Sequence, residues 1–140
     1  MANACILMIE THLPISMTCD NAVGIAKGTI VKLSDPLTCA ASAADEDVVA
    51  GITAEEKIAS DGNTRVSVYR GGVFLVTAEG TISAGDALST GTATGSINAV
   101  QRATKTSVSS KTIGLALEDA TDAQTLMIEL RPGCTSRAYS

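Results

Sequence analysis

The chain states one pattern twice. Ile25-Ala26-Lys27-Gly28-Thr29-Ile30-Val31-Lys32-Leu33 is echoed by Ile82-Ser83-Ala84-Gly85-Asp86-Ala87-Leu88. Further on, Gly51-Ile52-Thr53-Ala54-Glu55-Glu56 leads to Arg65-Val66-Ser67-Val68-Tyr69-Arg70-Gly71. Its echo is Gly114-Leu115-Ala116-Leu117-Glu118-Asp119, leading to Met127-Ile128-Glu129-Leu130-Arg131-Pro132-Gly133. Each half holds an opening turn, a short strand, a long variable connection and a hairpin, so a fold must provide two similar places for these phrases. Neither half clusters residues suited to catalysis, and a duplicated β framework without reactive groups reads as a building block.

Short runs of β-formers follow Val23, punctuated by Gly28, Asp35-Pro36, Asp61-Gly62-Asn63, Gly71-Gly72, Gly80, Gly85, Gly91 and Gly95. Closely spaced turn signals between short strands predict an all-β fold, a small barrel or β-clip-like body made from the two halves. Asp61-Gly62-Asn63 predicts a hairpin between the run ending at Ile58 and Val66-Ser67-Val68, and Ala120-Thr121-Asp122-Ala123 a weaker one. In the last strand Leu126, Ile128 and Leu130 alternate with Met127 and Glu129, which puts one face in the core. Helix is scarce: Ala40 to Val49 could form a turn or two or a solvated loop, and Ala103 to Ser110 reads as a surface loop. At 140 residues the chain is one domain that can bury a core without metals or disulfides. Aromatics make up only 2% of it, so that core must be built from small branched side chains.

Residues 1–20 differ from the rest, being apolar and without glycine, with Pro14 between Leu13 and Ile15. Proline lacks a ladder donor and holds the residue before it extended. The segment therefore reads as an extended N-terminal arm or edge strand ahead of a single β domain, 21–140. Ile6, Leu7, Met8 and Ile9 are too apolar for an idle tail, and the two halves look complete without them. The arm, through Ile6, Leu7, Met8, Ile9, His12, Leu13, Pro14 and Ile15, is the candidate contact with a partner, and up to about Ile15 it is expected to be mobile in the free protein. The loops around Asp45 and Thr104 are the alternative contact.

A net charge of −5 and basic residues spread singly along the chain argue against a nucleic-acid partner and against a membrane surface. The apolar stretches are too short to span a bilayer, and the N-terminus has no positive region of the signal-peptide kind. Cys5, Cys19, Cys39 and Cys134 include no close pair, and with His12 the single histidine they predict no metal site. They read as reduced thiols packed as small hydrophobes. Asp45-Glu46-Asp47 and Asp61-Gly62-Asn63 lack the downstream glutamate of a calcium loop. Gly91-Thr92-Ala93-Thr94-Gly95 lacks the lysine of a phosphate loop. His12 has no evident nucleophile to serve. No catalytic residue and no cofactor are expected.

Two resemblances weigh on function. Ile82-Ser83-Ala84-Gly85-Asp86-Ala87-Leu88 is similar to the turn of biotinyl and lipoyl carrier domains, which would make the chain a carrier or small-ligand binding module. Such a domain needs a lysine at a hairpin tip, and Asp61-Gly62-Asn63 and Thr121-Asp122-Ala123 offer none. The stretch from about Leu13 to Leu130 resembles the capsid decoration, or cement, proteins of tailed phages, once grouped as a domain of unknown function. The likeness rests on Leu13-Pro14-Ile15, on Lys27 to Pro36, on Ala50 to Ala59 with Asp61-Gly62, on Val68-Tyr69-Arg70-Gly71-Gly72-Val73-Phe74, on Ala84-Gly85-Asp86 and on Ile113 to Glu118. That resemblance implies a non-enzymatic virion protein on the exterior of a phage capsid, made in the host cytoplasm. It would bind the major capsid protein through its N-terminal segment and stabilise contacts between capsid subunits. A homo-oligomer is also expected, a trimer on the shell, with Val73, Leu75 and Met127 as apolar positions for partners to cover.

Overall fold

The computed structural model describes residues 5–35, 37–41, 48–90, 103–105 and 113–132, and every described element is a β-strand. They are β1 (Ile6–Ile9), β2 (Ile15–Thr18), β3 (Ile30–Asp35), β4 (Thr38–Ala41), β5 (Val49–Thr53), β6 (Arg65–Tyr69), β7 (Gly72–Thr77), β8 (Ala87–Thr90), β9 (Ala103–Lys105), β10 (Gly114–Ala116) and β11 (Thr125–Leu130). Strands β2-β4-β3-β5-β6 close a barrel, and β1-β7-β11-β10-β8-β9 form a six-stranded sheet.

The duplication extends further than the matching phrases. In the barrel β2 pairs with β6, β6 with β5, β5 with β3 and β3 with β4. In the second sheet β7 pairs with β11, β11 with β10, β10 with β8 and β8 with β9, which is the same sequence of antiparallel pairs. Among the described residues each repeat therefore has five strands, β2–β6 and β7–β11, and β1 is the added one. The shared turns hydrogen-bond alike. Ile25 and Lys57 exchange backbone bonds of 2.8 and 2.7 Å, and Ile82 and Ala120 exchange bonds of 2.8 and 2.9 Å. Gly28 N–H donates to Thr53 O at 3.1 Å as Gly85 N–H does to Ala116 O at 2.8 Å, and both glycines hold positive φ, 81° and 90°. That left-handed turn favours glycine because it has no Cβ to strain.

Ser67 N–H donates to Glu55 Oε2 at 3.0 Å, and Met127 N–H donates to Glu118 Oε2 at 2.7 Å. Ser67 thus corresponds to Met127, with Val66 matching Leu126 and Tyr69 matching Glu129. The phrase-by-phrase alignment, which set Arg65 against Met127, is two residues out of step. A shift of two keeps every side chain on the same face, so hydropathy could not detect it.

The repeats differ in how their free edge is covered. Thr18 of β2 lies parallel to Thr38 of β4, and Thr18 N–H donates to Leu37 O at 2.7 Å, which closes the barrel. In the second repeat the matching edge of β7 is taken by β1, in the register Ile6↔Leu75, Leu7↔Phe74 and Ile9↔Val73.

The core has two parts. Met17, Val31, Cys39, Ala50, Val66 and Val68 fill the barrel with Cys19 and Ile25. Phe74, Leu88, Ile113, Leu126 and Ile128 of the second repeat pack with Ile30, Val49 and Ile52 of the first and with Cys5 ahead of β1. β5 is buried at all five positions because it serves both clusters. Leu126, Ile128 and Leu130 point inward as their alternation predicts, each such burial stabilising the fold by roughly 1.5–3 kcal/mol.

The segment read as an arm is placed differently from that reading. β2 is the first strand of the first repeat and one of five barrel staves, so a boundary at residue 20 falls inside that repeat. Met17 and Cys19 are buried in the barrel, and Cys5 lies in the larger core with its N–H donating to Gly28 O at 2.8 Å. The first repeat therefore needs β2, whereas both repeats have all their strands without β1, which pairs along the edge of β7. Ala103–Lys105, read as loop, is strand β9, held by its ladder with Ser89 and Thr90 rather than by its own propensity. The Asp45 loop, Gly91-to-Gly95, the rest of the loop through Ser110, and Cys134 lie outside the described residues.

Candidate functional site

β1 and the connector to β2 form the surface that sequence reasoning singles out. β1 is an edge strand, and an irregularity between Leu7 and Ile9 breaks its inside-outside alternation. Leu7 is half-buried against the core while Ile6, Met8 and Ile9 are 54%, 50% and 57% exposed. Of the connector residues, Leu13 is 80% exposed, His12 is exposed, Pro14 is half-buried, and Ile15 at the start of β2 is exposed. Ile6, Met8 and Ile9 are thus exposed on the edge strand and His12 and Leu13 on the connector, while Leu7 packs against the core. Native edge strands are usually blunted by charge or bulges; β1 carries the irregularity between Leu7 and Ile9 but no charged side chain. Val73, Leu75 and Met127 are half-buried on the interior strands β7 and β11, not on an edge.

Three contacts set the connector. Tyr69 Oη donates to Glu10 Oε2 at 3.2 Å, and the Tyr69 ring meets Phe74 edge-on at 5.7 Å between centroids. Burial first, and then the bond to the Glu10 carboxylate, push the Tyr69 hydroxyl above its ordinary pKa. Thr11 Oγ1 and His12 Nδ1 are hydrogen-bonded at 2.8 Å. The His12 ring lies over Gly71, where a Cβ would run into the imidazole. Gly71-Gly72 is a turn signal in the sequence, and the fold adds that the missing side chain at Gly71 leaves the space His12 occupies.

Two hollows flank β1. One, of about 500 Å³, lies between Cys5, Ile6 and Leu7, the Lys27-Gly28 turn, and Tyr69 with Phe74. The other, of about 400 Å³, is lined by His12, Arg70, Gly72, Glu129, Leu130, Arg131 and Pro132. Arg70 Nη1 donates to Ala50 O at 2.9 Å, and Arg131 Nη2 pairs with Glu129 Oε1 at 3.1 Å. Sequence reading missed both arginines because they lie about sixty residues apart. Their positions beside Gly71 and Pro132 at the ends of β6 and β11 were the available signal.

The remaining chemistry is structural. Burial pushes the Cys5 thiol up to about 12 and Cys39 to about 11, and raises Cys19 as well. These groups are poor nucleophiles and poor metal ligands. Among the described residues no three His, Cys, Asp or Glu side chains come together to hold a metal ion. The Asp61 carboxylate is engaged by Lys57 Nζ at 2.9 Å and by Asn63 N–H at 2.9 Å, so Asp61-Gly62-Asn63 is turn chemistry.

Comparison with known proteins agrees with this architecture. The family profile for phage cement proteins matches residues 9–132. A search of curated proteins found no match. Among solved structures, the head fiber gp8.5 N base of bacteriophage phi29 shares the fold with a TM-score of 0.56 at 17% identity, covering 93% of this chain and 99% of that one.

Proposed function

This chain belongs to the phage cement protein family, and from that premise we propose that it binds the outer surface of a phage capsid and stabilises contacts between major capsid subunits. The family is one of capsid-associated structural proteins rather than enzymes, and the virion is its place. The exposed apolar edge of β1 and its connector is the observation that supports the contact surface: Ile6, Met8, Ile9 and Leu13 present side chains that water alone would otherwise cover. Leu7, Pro14 and Ile15 hold that edge against the body, and His12 flanks it. Each copy would bury area across a subunit junction, and many copies would raise the resistance of the shell by mass action. Synthesis in the host cytoplasm and trimerisation on the shell belong to the same reading; light scattering of the free protein and of protein released from particles tests the trimer.

Deleting the N-terminal segment is a poor test, because it removes Cys5 and Leu7 from the core and uncovers the edge of β7. The double variant Met8→Asp, Ile9→Asp alters only exposed side chains. It should melt within a few degrees of the parent and fail to co-sediment with undecorated shells of the phage. Full occupancy by this variant would sink the proposed contact surface. Failure of the unaltered protein to bind shells would sink the function itself.

A further inference from the structure

We propose that the groove between His12, Arg70 and Arg131 receives a carboxylate from the capsid segment that lies along β1; this rests on the function proposed above and specifies the chemistry of its partner. Three observations carry it. Among the described lining residues Arg70 and Arg131 stand with one acidic side chain, Glu129, a surplus of one positive charge in a chain whose net charge is −5. The groove adjoins the apolar edge at its Ile9 end, since Ile9 pairs with Val73 and its carbonyl lies 3.2 Å from where a Cβ on Gly72 would stand. The absence of a side chain at Gly71 leaves room for the imidazole that forms one wall, since a Cβ there would displace it.

The arginines fit this task. A guanidinium presents a planar fork that matches a carboxylate with two parallel bonds. Arg70 is anchored by Nη1 on the Ala50 carbonyl, so less freedom is lost when its other donors engage. Arg131 is held by Glu129 with both side chains well exposed, at 47% and 39%, a pairing that an incoming carboxylate can share. A polyanion such as DNA would be repelled by the charge of the whole molecule, whereas one carboxylate within an apolar, extended segment meets both the groove and the edge of β1.

The test measures binding to undecorated shells of the phage over a range of salt concentrations, for the unaltered protein and for Arg131→Gln, Arg70→Gln/Arg131→Gln and Lys32→Gln. Lys32 lies on β3, outside the groove. Both groove variants should weaken binding, the double one by about 10–100-fold, with a shallower salt dependence. Lys32→Gln should bind like the parent. Because Arg131 touches only an exposed pair, its single variant reports on binding even if the double variant proves unstable. Unchanged affinity and salt slope in Arg131→Gln would overturn the groove while leaving the cement function intact. Equal weakening by Lys32→Gln would also overturn it, since the attraction would then be diffuse. Absence of binding by the unaltered protein would remove the function and this inference together.

Discussion

Replacing Gly114 by alanine should be among the most damaging single-methyl changes available in this chain. A Cβ there would collide with the carbonyl oxygen of Glu129, with Glu129 C only 2.9 Å and Arg131 N 3.2 Å away. These are backbone atoms of the paired strand, so β10 and β11 must separate. Overpacking of this kind costs about 1–3 kcal/mol. Parting Gly114↔Leu130 and Leu115↔Glu129 weakens ladder hydrogen bonds worth about 0.5–1.5 kcal/mol each. Stiffening of the unfolded chain returns about 0.4–1 kcal/mol. The net loss is about 3 kcal/mol, a lowering of the melting temperature by roughly 10 °C for a domain of this size. Gly51→Ala should cost at least as much, since the Tyr69 carbonyl blocks its Cβ in the same way and its φ of 155° is unfavourable for other residues. Gly80→Ala is the control: nothing lies within 4 Å of its Cβ and only its φ of 77° resists, so about 1 kcal/mol is expected. Thermal melts by circular dichroism measure all three. If Gly114→Ala melted no lower than Gly80→Ala, the close strand approach and the equivalence of the two repeats at this point would both be wrong.

Further outcomes follow from the buried polar groups and thiols. Lys57 is buried and donates from Nζ to Asn21 O, Ile58 O and Asp61 Oδ1, so Lys57→Met should lower stability by about 2–3 kcal/mol in urea titration; a loss below about 0.5 kcal/mol would show the three bonds to be idle. The Asp61 carboxyl is held below its usual range, first by the Lys57 hydrogen bond and then by Asn63 N–H. A depressed native pKa gives stability that is complete above about pH 4 and is lost as pH falls through the native value. The gap in melting temperature between parent and Asp61→Asn should therefore be constant from pH 7 to 5 and narrow towards pH 2; a constant gap throughout would refute the linkage. In a Cys134→Ser background, Cys5, Cys19 and Cys39 should resist an aromatic disulfide reagent at pH 8 and react together only on unfolding, because burial raises all three thiols. Rapid labelling of the native protein would contradict their burial.

The class of fold was written in the sequence. Turn signals at Gly28 and Gly85, β-formers between them and the alternation of Leu126, Ile128 and Leu130 determine an all-β chain in two similar halves, because each depends on local backbone freedom or on which face of one strand is apolar. The apolar character of Ile6, Met8 and Ile9 was equally legible. Only the tertiary structure decided what those residues do. β2 reads as arm because its four residues, Ile15–Thr18, carry a weak pattern, yet pairing with β6 and β4 makes it a barrel stave. The same dependence on distant partners made a strand of Ala103–Lys105. The two-residue slip between Ser67 and Met127 preserves facing, so it required the carboxylates of Glu55 and Glu118 to reveal it. The groove of His12, Arg70 and Arg131 is assembled from three separate parts of the chain, and no local pattern encodes a site that exists only after two repeats and an added strand have packed together.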